Sequence, residues 1–182
     1  LETDPLNLKD TYTFAAWIKI EKGPYGDIIT QSHLNFRLNE DNYFEWRSND
    51  SSDLHAQKDD KLFQDFGCWH HVALVVSLSE GQSHHVFYLD GDQRVETKTG
   101  DFKINNASLT IGGSWKEKPN FALDELLIFA QALSADQIKW LATDPQYTIP
   151  KPDKALTNLP QNAINYPVAG TQPAGANFSI LD

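Results

Sequence analysis

The feature that most constrains this chain is a recurring alternation of apolar and polar residues in short segments, broken about every ten residues by Gly, Pro, Asn or Asp. A side-chain period of two means strands, and many short strands joined by turn chemistry mean stacked sheets rather than β-α units. Thr13 to Ile20 reads TFAAWIKI, which places Phe14, Ala16, Ile18 and Ile20 on one face. Gly23, Pro24 and Gly26 break the chain before a short strand at Asp27 to Gln31. Leu34 to Asn39 and Tyr43 to Ser48 alternate on either side of the turn residues Asn39 to Asn42 and should pair as a hairpin.

The stretch from Ser48 to Asp60 is polar and aperiodic, a long exposed loop. Trp69 to Leu78 (WHHVALVVSL) then sets Val72, Leu74, Val76 and Leu78 on one face and Ala73 and Val75 on the other. Apolar residues on both faces imply a central strand. His84 to Leu89 and Gln93 to Thr99 flank Asp90-Gly91, a strong hairpin signal because both turn positions need positive φ. With Ser108 to Ile111 and Leu123 to Phe129 the strands number about nine to eleven, too many for one sheet and natural for two.

One helix is expected, over Leu133 to Thr143. Ser134 caps it, Gln137 stands three residues on, and Leu133 can staple against Ile138. From Pro145 onward, Pro145, Pro150, Pro152, Pro160, Pro167 and Pro173 interrupt every regular element, so an extended tail is expected that packs on the sandwich or links to another domain. Ala163 to Val168 and Phe178 to Leu181 could each add an edge strand. The expected architecture is therefore all-β: a two-sheet antiparallel sandwich over 1–144 with one short C-terminal helix, and a proline-rich tail over 145–182.

Composition agrees. In 182 residues, 40% hydrophobic content with 12% aromatics gives enough apolar area for a full core. The formal charge of −10 repels phosphate backbones and anionic headgroups, so nucleic acid and membrane surfaces are poor partners. Cys68 is the only cysteine, which rules out an intramolecular disulfide and favours a bacterial surface or periplasmic setting over an animal secretory one. With no Met anywhere, the chain is expected to be a mature or excised segment, and no run of apolar residues is long enough to span a bilayer.

Three segments in this order, TFAAWIK at Thr13 to Lys19, WHHVALV at Trp69 to Val75 with the later FYLDGDQ, and LTIGGS followed by FALDELLIFAQALSADQI, resemble the laminin-G-like family of concanavalin-A-like jelly rolls. The likeness spans roughly Leu1 to Ala142, and the tail has no counterpart in it. It implies a lectin-like binding domain, exported or surface-exposed, although some relatives of this architecture hydrolyse glycosides.

Hydrolysis of a glycosidic bond needs two carboxylates flanking it, about 5 Å apart for a retaining enzyme. The laminarinase-like relatives carry theirs as Glu-x-Asp-x-x-Glu on one strand. Here the acidic strand pair is Asp124-Glu125, and adjacent strand residues point to opposite faces, so no paired acid is expected and an enzyme is the least favoured reading. The doublets His70-His71 and His84-His85 are divided by the same alternation, which leaves too few converging ligands for zinc. Calcium is the better cation. The resemblance implies a back-side site in which Asp124 joins residues near the N-terminus, here Glu2 or Asp4; the alternative is that Asp124 satisfies backbone donors at a strand start.

Sugar recognition requires planar polar side chains for hydroxyls and an aromatic surface for C–H stacking. The hairpin supplies the first on one face: Asn35, Arg37 and Asn39 on one strand, Tyr43, Glu45 and Arg47 on its partner, with Leu34, Phe36, Leu38, Phe44 and Trp46 opposite as core. Trp115, in the polar loop after Gly112-Gly113, is either a stacking residue or a lid on the rim. Trp17, Trp46, Trp69 and Trp140 fall in strand or helix patterns and are expected in the core. The first functional expectation is a non-catalytic carbohydrate-recognition module of a larger exported, cell-surface or periplasmic protein; the second is a protein-binding adhesion or assembly domain.

Overall fold

The computed structural model describes residues 2–6, 8, 11–21, 25–31, 34–39, 44–48, 66–99, 108–112, 119–143, 163–164 and 178–181, with 2–5, 34, 44–48, 97, 99, 163–164 and 178–181 described by backbone path alone. Twelve strands and one helix occur among them: β1 (Glu2–Pro5), β2 (Tyr12–Ile20), β3 (Gly26–Gln31), β4 (Leu34–Leu38), β5 (Phe44–Ser48), β6 (Trp69–Ser79), β7 (Gln82–Leu89), β8 (Asp92–Thr99), β9 (Ser108–Ile111), β10 (Phe121–Phe129), α1 (Ala135–Thr143), β11 (Ala163–Ile164) and β12 (Phe178–Leu181).

Five strands form one sheet in the order β1-β9-β3-β4-β5, and seven form the other in the order β11-β12-β10-β2-β6-β7-β8. Their crossovers make a jelly-roll sandwich: two sheets as the alternation implied, in the topology that the resemblance implied. Pairing is antiparallel except where β12 runs parallel to β10, from Leu126 opposite Phe178 to Phe129 opposite Leu181. Both segments offered as edge strands thus contain strand, β12 between β10 and β11; the rest of the tail lies outside the described residues.

The inner faces meet as the period of two requires. Phe14, Ala16, Ile18 and Ile20 of β2, Val72, Leu74 and Val76 of β6, Phe87 and Leu89 of β7, and Leu126 and Ile128 of β10 pack against Ile29, Phe36, Leu38 and Leu109 of the other sheet. Phe36 and Phe87 touch across the gap, with ring centroids 6.2 Å apart. β6 lies between β2 and β7, the central place its two apolar faces demanded. Leu78 departs from the expected inner row, being 43% exposed near the strand's end.

The second apolar face of β6 is covered by α1. Leu133, Ile138 and Leu141 bury against Ala15, Ala73, Val75, Tyr88, Leu127 and Phe129 on the outer side of the seven-stranded sheet. The helix starts with a reciprocal cap: Ser134 N–H donates to Gln137 Oε1 at 2.8 Å and Gln137 N–H to Ser134 Oγ at 3.3 Å.

Two hairpin turns have positive φ at both central residues, Asp90-Gly91 (52° and 83°) and Glu80-Gly81 (54° and 77°). Only the first stood out in the sequence, because Glu is a poor turn former. Strict alternation fails once in β10. Asp124 pairs with Trp17 and Leu127 with Ala15, so Glu125 is an extra residue in a bulge, with φ 48°. The adjacent pair Asp124-Glu125 is therefore not a simple two-faced pair. Its signature was present in the apolar positions, which run Phe121, Leu123 and then Leu126, Ile128, a slip of one residue.

Candidate ligand-binding face

Because α1 covers only part of the outer side of the seven-stranded sheet and packs on none of the five-stranded one, the five-stranded sheet offers the broader outer face among the described residues. Register builds that face. Asn35 of β4 lies opposite Arg47 of β5, and Arg37 opposite Glu45. On its other side Asn35 faces Thr30 of β3, Thr30 faces Thr110 of β9, and Thr110 faces Glu2 of β1. One row thus crosses all five strands as Arg47, Asn35, Thr30, Thr110 and Glu2, every member capable of hydrogen bonding.

Phe36 and Leu38, between the polar positions of β4, are buried, whereas Asn35, Arg37 and Asn39 are half-buried. Hairpin and register therefore stand as the alternation indicated. A neighbouring row brings Glu45, Arg37 and Asp27 together, with Asp27 buried beside a second bulge at Ile28. Tyr43 and Trp115 lie outside the described residues, as do the side chains of Glu45 and Arg47.

Of the residues proposed for calcium, Asp124 is on β10 in one sheet, and Glu2 and Asp4 are on β1 at the edge of the other. These strands do not pair, and the side chains of Glu2 and Asp4 lie outside the described ones. Asp124 Oδ1 accepts the Glu125 N–H at 2.9 Å, so one of its oxygens satisfies the backbone within the bulge. Among the described residues no group of three His, Cys, Asp or Glu could hold a metal.

The histidine doublets divide between faces. His71 is buried on the outer side, its ring edge-on to Trp17 with centroids 5.5 Å apart. Burial lowers its pKa to about 4, partly opposed by the Asp90 carboxylate. Asp90 binds the start of β6 three ways: Oδ2 lies 2.9 Å from His70 Nδ1, Oδ1 accepts the His71 N–H at 2.9 Å, and the Asp90 N–H donates to the His71 carbonyl at 2.7 Å. His84 Nε2 lies 2.6 Å from Glu96 Oε1, and buried His85 has its pKa lowered to about 4 by desolvation and then by His84.

Trp69 corrects an expectation. It is 45% exposed rather than in the core, because β6 begins on the outer side of the sheet beyond the residues that α1 covers. Trp17 is half-buried, and Trp140 packs partly buried against the helix cluster; the side chain of Trp46 lies outside the described ones. Between the sheets, a cavity of about 20 Å³ lined by Phe14, Ile29, Phe36, Leu74 and Phe87 has room for a single water and not for a sugar ring.

Solved structures share this fold. A native heptameric SAP-like pentraxin from Limulus polyphemus superposes with a TM-score of 0.60 at 17% identity, over 78% of this chain and 73% of that one. Domain 4 of AbnA, an extracellular arabinanase of family GH43 from Geobacillus stearothermophilus solved in complex with arabinotriose, superposes with a TM-score of 0.55 at 20% identity, over 78% and 71%. The NanB sialidase from Streptococcus pneumoniae gives 0.58 at 11% identity, with 72% of this chain matching 24% of the sialidase. No curated protein sequence matches the chain. The fold is thus shared by lectin-like proteins and by parts of glycoside hydrolases. A laminin G family model matches residues 1–139, a span that holds β1 to β10 and the start of α1, and on that ground the chain belongs to the concanavalin A-like lectin/glucanases superfamily.

Proposed function

We propose that the domain is a non-catalytic carbohydrate-binding module of a larger exported or surface protein, reading glycans on the outer face of its five-stranded sheet. The observation that carries this reading is the unbroken polar row across that sheet, left open while the helix occupies the other. Asn35 and Arg37, with Glu45 and Arg47 opposite them in register, are the residues assigned to hydrogen bonding with hydroxyls, and Tyr43 and Trp115, outside the described residues, are the aromatics assigned to stacking. The arabinotriose held by a domain of this fold supports a saccharide as the ligand class. A shallow polar face buries little area, so dissociation constants on the order of millimolar to micromolar are expected.

Glycan-array binding tests the proposal. A bound glycan whose signal falls at least tenfold in Arg37→Ala and Asn35→Ala supports it; absence of any glycan ligand, or release of reducing sugar by the purified chain, refutes it. Calcium at Asp124 with Glu2 or Asp4 is a separable part of the proposal. An ion that binds the folded state must raise the melting temperature, so equal melting in millimolar calcium and in chelator removes that part alone.

A further inference from the structure

The outer side of the seven-stranded sheet is not covered to its end. Beyond the reach of α1, β10, β2 and β6 present two further rows: Asp124, Trp17 and His71 in one, and Ala122, Lys19 and Trp69 in the other. His71, buried and directly across from Trp17, meets that indole in a T-shaped contact. Trp69, directly across from Lys19, is one of two large apolar side chains exposed among the described residues.

Leu78, the other, stands at a strand end beside a turn, whereas Trp69 shares its end of the sheet with Lys19 directly across and with Asp124 two strands away. Asp124 spends one carboxylate oxygen on the bulge, and its second has no hydrogen-bond partner among the described residues. Lys19 Nζ lies 3.5 Å from Glu21 Oε1 with both side chains at least a third exposed, so the ammonium retains protons to donate. Ala122, the residue across Lys19 on its other side, is small and exposed and leaves the surface low there.

An exposed indole across from an ammonium, on a face that also carries carboxylates, suits a ligand that is apolar on one face and hydroxylated at its edge, which describes a sugar ring. Adjacent strands lie about 4.8 Å apart and same-face residues about 7 Å apart along a strand, so the patch spans one to two rings. Asp124 and Glu21 beside it, on a chain of formal charge −10, select against acidic sugars.

We propose that Trp69, Trp17, Lys19 and Asp124 form a second saccharide contact, on the opposite side of the sandwich from the polar row, in which a neutral sugar ring stacks on Trp69. The ligand class rests on the reading given above; the site does not.

Affinity electrophoresis through gels containing linear arabinan, xylan, mixed-linkage β-glucan or galactan tests it on wild type, Trp69→Ala, Trp69→Phe, Lys19→Ala and Arg37→Ala. In a gel that retards wild type, Trp69→Ala should lose affinity at least tenfold and Trp69→Phe should keep most of it. Trp69→Ala migrating as wild type there overturns this inference and leaves the proposed function standing. Retardation lost in Trp69→Ala and unchanged in Arg37→Ala supports the inference while refuting the polar row. Wild type retarded by none of the four polymers overturns both. Should Trp69→Ala fail to fold, Lys19→Ala carries the test, and its migration as wild type overturns the inference.

Discussion

Acidification from pH 7.5 to 5 should cost this fold about 4 kcal/mol of stability, nearly all of it through His71 and His85. Each is buried with its pKa lowered from an ordinary 6.5 to about 4. Below pH 6.5 the unfolded chain therefore binds protons that the folded chain refuses, so stability rises with pH between these two values. It is complete above pH 6.5, falls as the unfolded histidines protonate, and levels off below about pH 4. At pH 5 each histidine costs about 2 kcal/mol on this arithmetic, a large fraction of the roughly 5–15 kcal/mol typical of a domain. The charged and titratable groups near them work in opposite senses: Asp90 across the turn favours protonation of His71, and His84 beside His85 opposes it. Urea unfolding followed by circular dichroism at pH 7.5, 6.5, 5.5 and 5 measures the loss. His71→Gln and His85→Gln should each reduce the pH-dependent part by about half, whatever they do to stability at pH 7.5. A wild-type stability that is flat over this range, or single variants that keep the full loss, would refute the reasoning.

Two substitutions test the backbone. Glu80→Asn should raise stability by about 1 kcal/mol in thermal or urea melts, because Glu80 holds φ 54° in an exposed two-residue turn that Asn-Gly suits far better. Gly91→Ala should lower it by about 2 kcal/mol or more by the same assay: at φ 83° a side chain is strained, and its Cβ would lie 3.1 Å from Lys139 Cα and 3.2 Å from Ala142 Cβ.

Where one period governs a whole segment, the sequence was a sufficient guide. β2 and β6 show this, as do the Asp90-Gly91 turn and the Ser134 cap, whose chemistry is local. The polar face of the β4–β5 hairpin was legible for the same reason, whereas its continuation through Thr30, Thr110 and Glu2 depends on pairings with β3, β9 and β1 that have no local signal. What escaped depends on distant neighbours. Alternation placed Trp69 on a face but could not say that α1 stops short of it, so a residue expected in the core turned out to be exposed. The bulge at Glu125 was written in a slip of apolar parity, yet it reads as noise until the pairing of β10 with β2 is known. The parallel run of β12 beside β10 has no local signal, since strand direction is a property of the chain's route.

The place of β2 in the sheet has a consequence for synthesis. Thr13 sits between Val75 on one side and Phe129 on the other, so an early-made strand waits for two partners made much later. Until Phe129 has left the ribosome, Phe14, Ile18 and Ile20 have no complete interior to enter, and the nascent chain must keep both edges of that strand from pairing with a neighbouring copy. Folding dominated by such distant pairings is slow, on the order of milliseconds to seconds, which makes this interval the one in which the domain is most exposed to aggregation.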